Sequence, residues 1–335
     1  MAPSPTPLPP TPLPVAGTRP VDDRARIEIA ARTDRGRERS GNEDSHLVVA
    51  PPGWAALAVC DGMGGAAGGE VASRITVETI HDVMLEGGAP STCDALGARL
   101  RRSVEEASRR VHAAARARPS LAGMGTTATA CALRDDALFV AQVGDSRAYL
   151  LRDGRLTQLT RDQTLAAELV ERGELAPEDV ETFPLGHVIL QAVGTAERVE
   201  VDLRRVRVCD GDVLLVCSDG LHGVVGIDAM RDALLCAPTL DAGCEALVAL
   251  ANDAGGPDNI TAVVARVTGE ALAPAAGLPA PERVALDDDD PPAPCDASPP
   301  VEPGEEDTEP DALAGPPSLG GVLARFAAMF KRRRS

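Results

Sequence analysis

The sequence predicts an α+β fold, and three observations support this prediction. Short apolar runs bounded by turn residues recur within residues 21–268, which is typical of strands. Two longer segments, residues 70–85 and 94–117, space their apolar side chains three to four positions apart, as amphipathic helices do. Strands follow strands and the two helices follow each other, so the pattern favours packed layers over alternating βαβ units.

The predicted strands are short and aliphatic. They cover residues 55–60, 128–133, 137–143, 147–151, 212–217 and 260–267. Hydrophobic residues make up 44% of the chain but aromatic residues only 2%, so the core must be built from Val, Leu, Ala and Ile. The two helical segments lack proline and internal glycine clusters, so each is expected to run for more than three turns.

Proline-rich segments frame the predicted domain. Residues 1–20 contain eight prolines, which cannot sustain helix or sheet hydrogen bonding. Residues 269–318 combine proline with acidic runs that repel one another. We therefore predict a disordered Pro-rich arm at 1–20, a folded domain at 21–268 and a disordered, acidic, Pro-rich linker at 269–318.

The final segment, residues 319–335, combines an amphipathic pattern with a basic end. Its apolar side chains from Leu319 to Phe330 fall on one helical face, and four basic residues follow. The stretch from Leu319 to Arg334 could therefore dock on a partner's groove or on an anionic membrane surface. A terminal helix packed on the domain's own surface, or a disordered end, explains the same pattern equally well.

Charge and cysteine content limit the classes of function. The formal net charge is −18, and we expect no nucleic acid partner because binding a phosphate backbone requires clustered Lys and Arg. The eight cysteines form no C-x-x-C pair and several lie in apolar runs, which indicates core thiols rather than ligands. No signal peptide and no apolar stretch of membrane-spanning length are present in the sequence, so a cytoplasmic location is expected.

Acidic residues stand at the ends of the predicted strands. Three strands finish in an aspartate, a fourth aspartate comes shortly before a strand, and a Glu-Asp pair precedes the apolar run at residues 47–50. These residues are Asp61, Asp145, Asp219, Asp258, Glu43 and Asp44. A single Asp-Gly after a strand is usually only a turn, but this recurrence within one domain predicts that the acids converge on one rim.

Carboxylates brought together without Lys or Arg between them repel one another unless they take up protons or hold cations. Oxygen-only ligands select hard ions such as magnesium or manganese over zinc. The five histidines show no H-x-x-x-H zinc pattern. The acidic residues therefore predict a centre for divalent magnesium or manganese.

Six ordered motifs carry a resemblance to a known family. They are R-S-G-N-E-D (39–44), V-C-D-G-M-G-G (59–65) with G-E-V-A-S (69–73), G-M-G-T-T (123–127), V-G-D-S-R (143–147), C-S-D-G (217–220) and P-D-N-I-T (257–261). Together they resemble the bacterial metal-dependent protein phosphatases of type 2C. The resemblance covers residues 25–268 and implies a β-sandwich of two antiparallel sheets flanked by antiparallel α-helices, with the metal centre in a cleft at one edge of the sheets.

The resemblance also implies a role for each aspartate. Asp61 would bridge two cations, and the Gly62 carbonyl would contribute to their shell. Asp219 and Asp258 would hold the first cation. Asp145 matches the acid that holds a more weakly bound third metal in bacterial members.

Three further residues receive roles from the resemblance. Glu43 or Asp44, partly through water, would complete the metal shell. Arg39 matches the family's phosphate-binding arginine, and a guanidinium fork suits two phosphate oxygens at once. The alternative for Arg39 is an exposed charge near the N-terminal arm.

The implied activity is that of a protein-serine/threonine phosphatase. Two cations would activate a bridging water for attack on phosphoserine or phosphothreonine, so no protein nucleophile is needed. The substrates would be phosphorylated proteins, and the enzyme would oppose a bacterial Ser/Thr kinase. The alternative is a catalytically silent phosphoprotein-binding module, although such descendants usually lose a metal aspartate and Asp61, Asp219 and Asp258 are all present.

Two places depart from the family pattern. Eukaryotic relatives carry a His at the position of Met63, and that His is a candidate acid for the leaving alcohol. Bacterial relatives also carry Met there. A metal-bound water is therefore the default acid. In the flap, roughly residues 162–192, the usual Asp-His-Ser reads D-Q-T at 162–164 and the usual His-Pro reads F-P at 183–184. In the family the flap lies beside the cleft and influences the choice of substrate.

Overall fold

The computed structural model describes residues 19–20, 26–64, 68–270, 272–274, 277 and 281–284. Most of the predicted N-terminal arm and most of the predicted acidic linker lie outside the described residues. The predicted C-terminal segment, from Leu319 to Arg334 and on to the end, lies wholly outside them.

Two antiparallel sheets form the frame of the domain. The strands are β1 (Arg19–Pro20), β2 (Arg26–Asp34), β3 (Asp44–Val49), β4 (Ala55–Met63), β5 (Gly125–Thr126), β6 (Ala128–Arg134), β7 (Ala137–Val143), β8 (Arg147–Arg152), β9 (Arg155–Gln158), β10 (Asp202–Arg207), β11 (Val213–Cys217), β12 (Ile260–Thr268) and β13 (Glu282–Arg283). The first sheet has the order β1-β2-β12-β11-β8-β9. The second has the order β13-β10-β7-β6-β4-β3, and β5 pairs with the end of β4.

The described residues form six α-helices. They are α1 (Gly68–Leu85), α2 (Cys93–Ala117), α3 (Leu165–Glu171), α4 (Asp219–His222), α5 (Ile227–Cys236) and α6 (Leu240–Asp253). Helices α1 and α2 pack on the second sheet through Ile80 and Leu100, and α5 and α6 pack on the first through Leu234 and Leu247. The described elements therefore form the predicted sandwich with helices on both sides, which confirms the fold class.

The core consists of three apolar layers, because both faces of each sheet are covered. Along β4, Ala56 and Ala58 face the helices, whereas Leu57 and Val59 face the other sheet. This alternation follows from the two-residue repeat of a strand. A strand buried on both faces must be apolar throughout, which explains the continuous aliphatic run of β4.

The six predicted strands and both predicted helices are confirmed, with small changes at their ends. The largest change is at β4, which continues to Met63 because β5 pairs with Gly62 and Met63. Asp61 therefore lies inside a strand and not after its end. Sequence patterns missed β2, β3, β9, β10, α3, α5 and α6.

Short strands extend both edges of the predicted domain. Arg19–Pro20, at the end of the predicted arm, pairs with β2. Glu282–Arg283, within the predicted linker, pairs with β10. Each pairing satisfies backbone groups on an outer strand that would otherwise stay open, which is the physical reason for the difference.

The cysteines of the described residues are free thiols. Five of them are buried, as predicted: Cys60, Cys131, Cys209, Cys217 and Cys244. Cys93 is half-buried and Cys236 is exposed. Among the described helices, none combines the length and the apolar character that crossing a bilayer requires.

One ion pair is buried at the end of the first sheet opposite the acidic motifs. Arg152, the last residue of β8, donates to both carboxylate oxygens of Asp212, at 2.8 and 2.6 Å. The two side chains are 2% and 1% exposed. Asp212 also accepts a hydrogen bond from the backbone N–H of Cys209, at 2.7 Å. The pair thus ties β8 to the turn before β11.

Removing the cation from this pair should destabilise the domain strongly. We expect Arg152→Met to lower the free energy of unfolding by about 3–5 kcal/mol, because Asp212 would remain buried without its partner. Urea denaturation measures the change. The matched control is Arg207→Met, which removes an exposed arginine that bonds Asp136, and its cost should stay below about 1 kcal/mol. Equal losses in the two variants would contradict the importance of burial.

Candidate metal centre

The register between β3 and β4 brings the first acidic residues together. Asp44 lies directly opposite Asp61 in this antiparallel pair. The N–H of Gly62 donates to the carbonyl of Glu43 at 3.2 Å, which places that residue at the same end of the sheet. Residues opposite each other in a sheet lie about 5 Å apart, so two separate motifs meet here through backbone pairing alone.

Close approach of α1 to this corner requires glycine. A Cβ atom on Gly62 would lie 2.2 Å from the Gly69 carbonyl oxygen and 2.5 Å from the Glu43 carbonyl oxygen. A Cβ atom on Gly69 would lie 2.4 Å from Oε2 of Glu43. Gly62 in β4 and Gly69 in α1 therefore allow the start of the helix to approach this corner, where the Gly62 carbonyl and Glu43 lie together.

The first sheet contributes the other two acids of the predicted two-metal set. Asp219 begins α4 directly after β11, and Asp258 stands two residues before β12, the neighbouring strand. Ser218 joins the two sheets, because its hydroxyl donates to Oδ2 of Asp44 at 2.7 Å and accepts from the N–H of Thr261 at 3.0 Å. Asp61 and Asp219 also lie close together, because the charge of Asp219 raises the pKa of Asp61. These acids therefore lie close enough for their charges to act on one another.

Burial and mutual repulsion perturb these carboxyl groups. Burial raises the pKa of Asp44 to about 7, and the charges of Asp219 and Asp258 act in the same direction. Burial, then the charges of Asp44 and Asp219, raise the pKa of Asp61 well above its usual range. The pKa of Asp219 is also raised, chiefly by burial. Each shift reports a carboxyl group that is held out of water beside other acids.

The donor set fits hard divalent cations. Oδ1 of Asp44 and Oδ1 of Asp219 are buried and accept no hydrogen bond. Such unpartnered carboxylate oxygens are costly unless a cation binds them. Within the described part of the chain, no group of three or more acidic, His or Cys side chains is placed so that it could hold a metal ion as it stands. Instead, Ser218 donates to Asp44, and a proton on one of the neighbouring carboxyl groups would relieve the remaining repulsion.

A buried asparagine positions the loop that carries Arg39. Asn259 is 4% exposed, accepts from the N–H of Glu43 at 2.7 Å and donates to the carbonyls of Arg35 and Gly41, both at 2.9 Å. Arg39 lies between these anchors. Its guanidinium is about half exposed, as the predicted phosphate-binding role requires.

Arg39 is in contact with the metal centre itself. Its Nη2 donates to Oδ2 of Asp258 at 2.6 Å. The side chain is 54% exposed, so most of its donors face solvent. The structure therefore places Arg39 beside a predicted metal ligand, and not at a remote surface.

Asp145 lies within electrostatic reach of the same centre. Burial, and then the charge of Asp219, raise the pKa of Asp145 to about 7. The carbonyl of Asp145 accepts a hydrogen bond from Nε2 of His222 at 3.0 Å. Because His222 ends α4 and Asp219 begins it, this short helix links the two acids.

The flap is tied to the centre through Gln163. Its N–H donates to the carbonyl of Gly144 at 3.0 Å, and its Oε1 accepts from the N–H of Gly144 at 2.9 Å. Gly144 immediately precedes Asp145 in the chain. The glutamine that departs from the family pattern therefore connects the base of the flap to the backbone beside a predicted metal ligand.

Sequence reasoning assigned no role to several residues that shape the centre. They are Thr127, Gln163, Ser218, His222 and Asn259. Thr127, Ser218 and Asn259 lie within motifs, His222 lies two residues after one, and Gln163 lies in the D-Q-T departure of the flap. A polar residue at such a position was the available signal in the sequence. It does not reveal which residue the side chain bonds, because every hydrogen-bond partner is distant in sequence.

Comparisons with known proteins identify the family of this domain. Residues 33–254 match the family model described as protein phosphatase 2C. The serine/threonine phosphatase stp of Listeria monocytogenes is 38% identical over 234 residues, which are 70% of this chain and 93% of that protein. The serine/threonine protein phosphatase PstP of Mycobacterium tuberculosis is 39% identical over 241 residues, which are 72% of this chain and 45% of that protein.

Solved structures agree with these sequence matches. The catalytic domain of the serine threonine protein phosphatase PstP, in complex with two manganese ions, superposes with a TM-score of 0.64 at 38% identity. The match covers 73% of this chain and 99% of that domain. This chain therefore shares its fold with a solved relative, and that relative binds two manganese ions.

Removing one acid from the centre should stabilise the metal-free domain. In EDTA we expect Asp219→Asn to raise the free energy of unfolding by about 0.5–2 kcal/mol, because one repelling carboxylate is lost. Excess manganese should stabilise the wild type by about 2.7 kcal/mol at one hundred times its dissociation constant, and the variant much less. Urea denaturation with and without metal measures both effects.

The matched control is Asp253→Asn, at an exposed position near the end of α6. It should change stability by no more than about 0.5 kcal/mol in either buffer. A wild type that gains nothing from manganese, or an Asp219 variant that is less stable in EDTA, would contradict the repelling metal centre.

Proposed function

This chain belongs to the protein phosphatase 2C family, and we propose that it hydrolyses phosphoserine and phosphothreonine with two divalent cations held by Asp61, Asp219 and Asp258. It is a protein-serine/threonine phosphatase. The observation that supports the metal-dependent mechanism is the group of carboxylates where the two sheets meet, with unpartnered oxygens on Asp44 and Asp219. No protein nucleophile is required by this chemistry.

The cations, when bound, would lower the pKa of a water molecule and neutralise charge on the phosphoryl oxygens. Asp61 is suited to serve both cations because it lies opposite Asp44 in the sheet and close enough to Asp219 for that charge to raise its pKa. Asp258 would complete the ligand set of the cation that Asp219 binds. Glu43, Asp44 and the Gly62 carbonyl supply further oxygens at the same corner. Manganese and magnesium both suit this all-oxygen set.

Arg39 is suited to bind the phosphoryl group of the substrate. Its guanidinium is half exposed and already lies beside Asp258, at the edge of the acidic centre. A planar guanidinium can donate to two phosphate oxygens at once, which fixes both position and orientation. The clamp by Asn259 on the surrounding loop limits the freedom of this arginine.

Asp145 supports a third and weaker cation site. Asp145 is 6% exposed, and the negative charge of Asp219 raises the pKa of its carboxyl group. A single carboxylate at the margin of the cluster provides fewer ligands than the main centre, so weaker binding follows. His222 and Gln163 hold the backbone around it.

The biological setting follows from the family. The substrates are phosphorylated proteins in the cytoplasm, and the enzyme reverses the action of a bacterial Ser/Thr kinase. The terminal stretch from Leu319 to Arg334 is a candidate for docking to a partner or to a membrane surface. A silent phosphoprotein-binding module is the less favoured alternative, because none of the three main metal aspartates is replaced.

Turnover should require both the metal and the intact centre. With manganese or magnesium we expect hydrolysis of a phosphothreonine peptide and of p-nitrophenyl phosphate, and EDTA should abolish both activities. Asp219→Asn should lower kcat on the order of 100-fold or more on both substrates, since a metal ligand is lost. Asp253→Asn is the control and should be fully active. Absence of turnover with every metal would favour the silent module.

Loss of the guanidinium at position 39 should weaken the recognition of phosphate. We expect Arg39→Ala to lower kcat/KM about 10- to 100-fold and to weaken inhibition by inorganic phosphate in parallel. Arg39→Lys should restore only part of the loss, because an ammonium group lacks the fork. Arg35→Ala, at an exposed position of the same loop, is the control. Unchanged phosphate inhibition in Arg39→Ala would exclude the role.

A further inference from the structure

The residue before Asp145 is a glycine whose two backbone polar groups are both bonded. Gly144 has a φ of +95°, in the left-handed region. Its N–H donates to Oε1 of Gln163 at 2.9 Å, and its carbonyl accepts from the N–H of Gln163 at 3.0 Å and from Nε2 of Gln142 at 2.9 Å. Because glycine has the greatest backbone freedom of any residue, these bonds fix the direction in which the chain enters Asp145.

A second glutamine holds the side chain of Gln163. Nε2 of Gln191 donates at 3.0 Å to Oε1 of Gln163, the same oxygen that accepts from Gly144. Nε2 of Gln163 donates to the carbonyl of Gln142 at 3.3 Å. The amide group of Gln163 is therefore bonded at both ends, and it cannot rotate away from Gly144 without losing its bond to Gln191.

Gln191 is itself anchored outside the flap. Its Oε1 accepts from the N–H of Glu200 at 2.9 Å, and its Nε2 also donates to the carbonyl of the same residue. Glu200 lies shortly before β10, and its carboxylate accepts from Arg283 of β13 at 3.0 Å. Hydrogen bonds thus run from the edge of the second sheet, through Gln191 and Gln163, to Gly144.

The start and the end of the flap meet at the two glutamines. Thr164 and Ile189 form an antiparallel bridge, and the N–H of Leu190 donates to the carbonyl of Gln163 at 2.8 Å. The side-chain bond between the glutamines extends this pairing by one position. A change at either end of the flap is therefore transmitted to Gly144.

The affinity of a metal site depends on how firmly its ligands are oriented. Removing a group that orients a ligand typically costs about 10- to 100-fold in metal affinity. Among the described residues, the hydrogen bonds of the two glutamines reach the backbone beside Asp145 but not Asp61 or Asp219. Their influence should therefore fall on the proposed third cation site and not on the main centre.

We propose that Gln163 and Gln191 are positioning residues for the third cation site. Through these two side chains the flap holds Gly144, and thereby Asp145, in the geometry that binds the cation. The flap sets the affinity of this weaker site without supplying a ligand to it, and the two main cations are unaffected. This inference rests on the proposed metal-dependent function, and the test separates the two.

Titration of the metal-free chain with manganese, with free Mn²⁺ followed by its EPR signal, measures each class of site. In the wild type we expect two tight sites and one weaker site, and Asp145→Asn should remove only the weaker one. Gln163→Met and Gln191→Met keep the length of the side chain but lose the amide. Each should weaken the third site about 10- to 100-fold and change the tight sites less than about twofold.

The matched control is Gln158→Met. Gln158 is also half-buried and donates to Oδ1 of Asp162 at 3.1 Å, but Arg147 holds Asp162 through three further hydrogen bonds. This variant should leave every site unchanged. The double variant Gln163→Met with Gln191→Met should weaken the third site no more than Gln163→Met alone, because Gln191 acts through Gln163.

A third site that keeps its affinity in Gln191→Met, or tight sites that weaken as much as the third, would overturn the inference. A wild type in which Asp145→Asn removes no weaker site, or losses that add up in the double variant, would overturn it as well. Turnover of p-nitrophenyl phosphate that Asp219→Asn abolishes would leave the proposed function standing whatever happens at the third site.

Discussion

Four aspartate side chains, Asp44, Asp61, Asp145 and Asp219, approach one another where the ends of two sheets meet, and the surrounding structure responds to their mutual repulsion. Each carboxyl has an elevated pKa, first because burial removes water and further because its neighbours carry like charge. Protons and hard cations are the two ways to relieve this repulsion. The three apolar layers of the sandwich supply the stability that allows such a centre to persist.

Neutral donors, and not cations, hold most of these acids in place. Ser218 bonds Asp44, and Thr127 accepts from the N–H of Asp61 at 2.9 Å and returns its own N–H to the Asp61 carbonyl at 2.9 Å. The nearby Arg147 is bonded to Asp162, at 2.6 Å. Arg39, which bonds Asp258, therefore compensates only part of the negative charge of the centre, and the remainder is available to metal ions.

The flap is part of the same arrangement and not a separate appendage. Gln163 connects its base to Gly144, and Val193 connects its end to β5 beside Asp61. The first anchor brings a departure from the family pattern, Gln163, next to Asp145. Differences in the flap can therefore alter how a substrate is held without changing the proposed metal ligands themselves.

The sequence by itself determined the α+β class, six strands, two long helices and the identity of the acids, because periodicity and strand-end motifs are local properties. It missed β10, where four of six residues are charged, and α6, where Gly243 and Asn252 weaken the helical pattern. Only the tertiary structure decided that Asp44 faces Asp61, that Ser218 joins the sheets and that Arg39 bonds Asp258. Those relations depend on strand register and on hydrogen bonds between residues far apart in the chain, which no local pattern encodes.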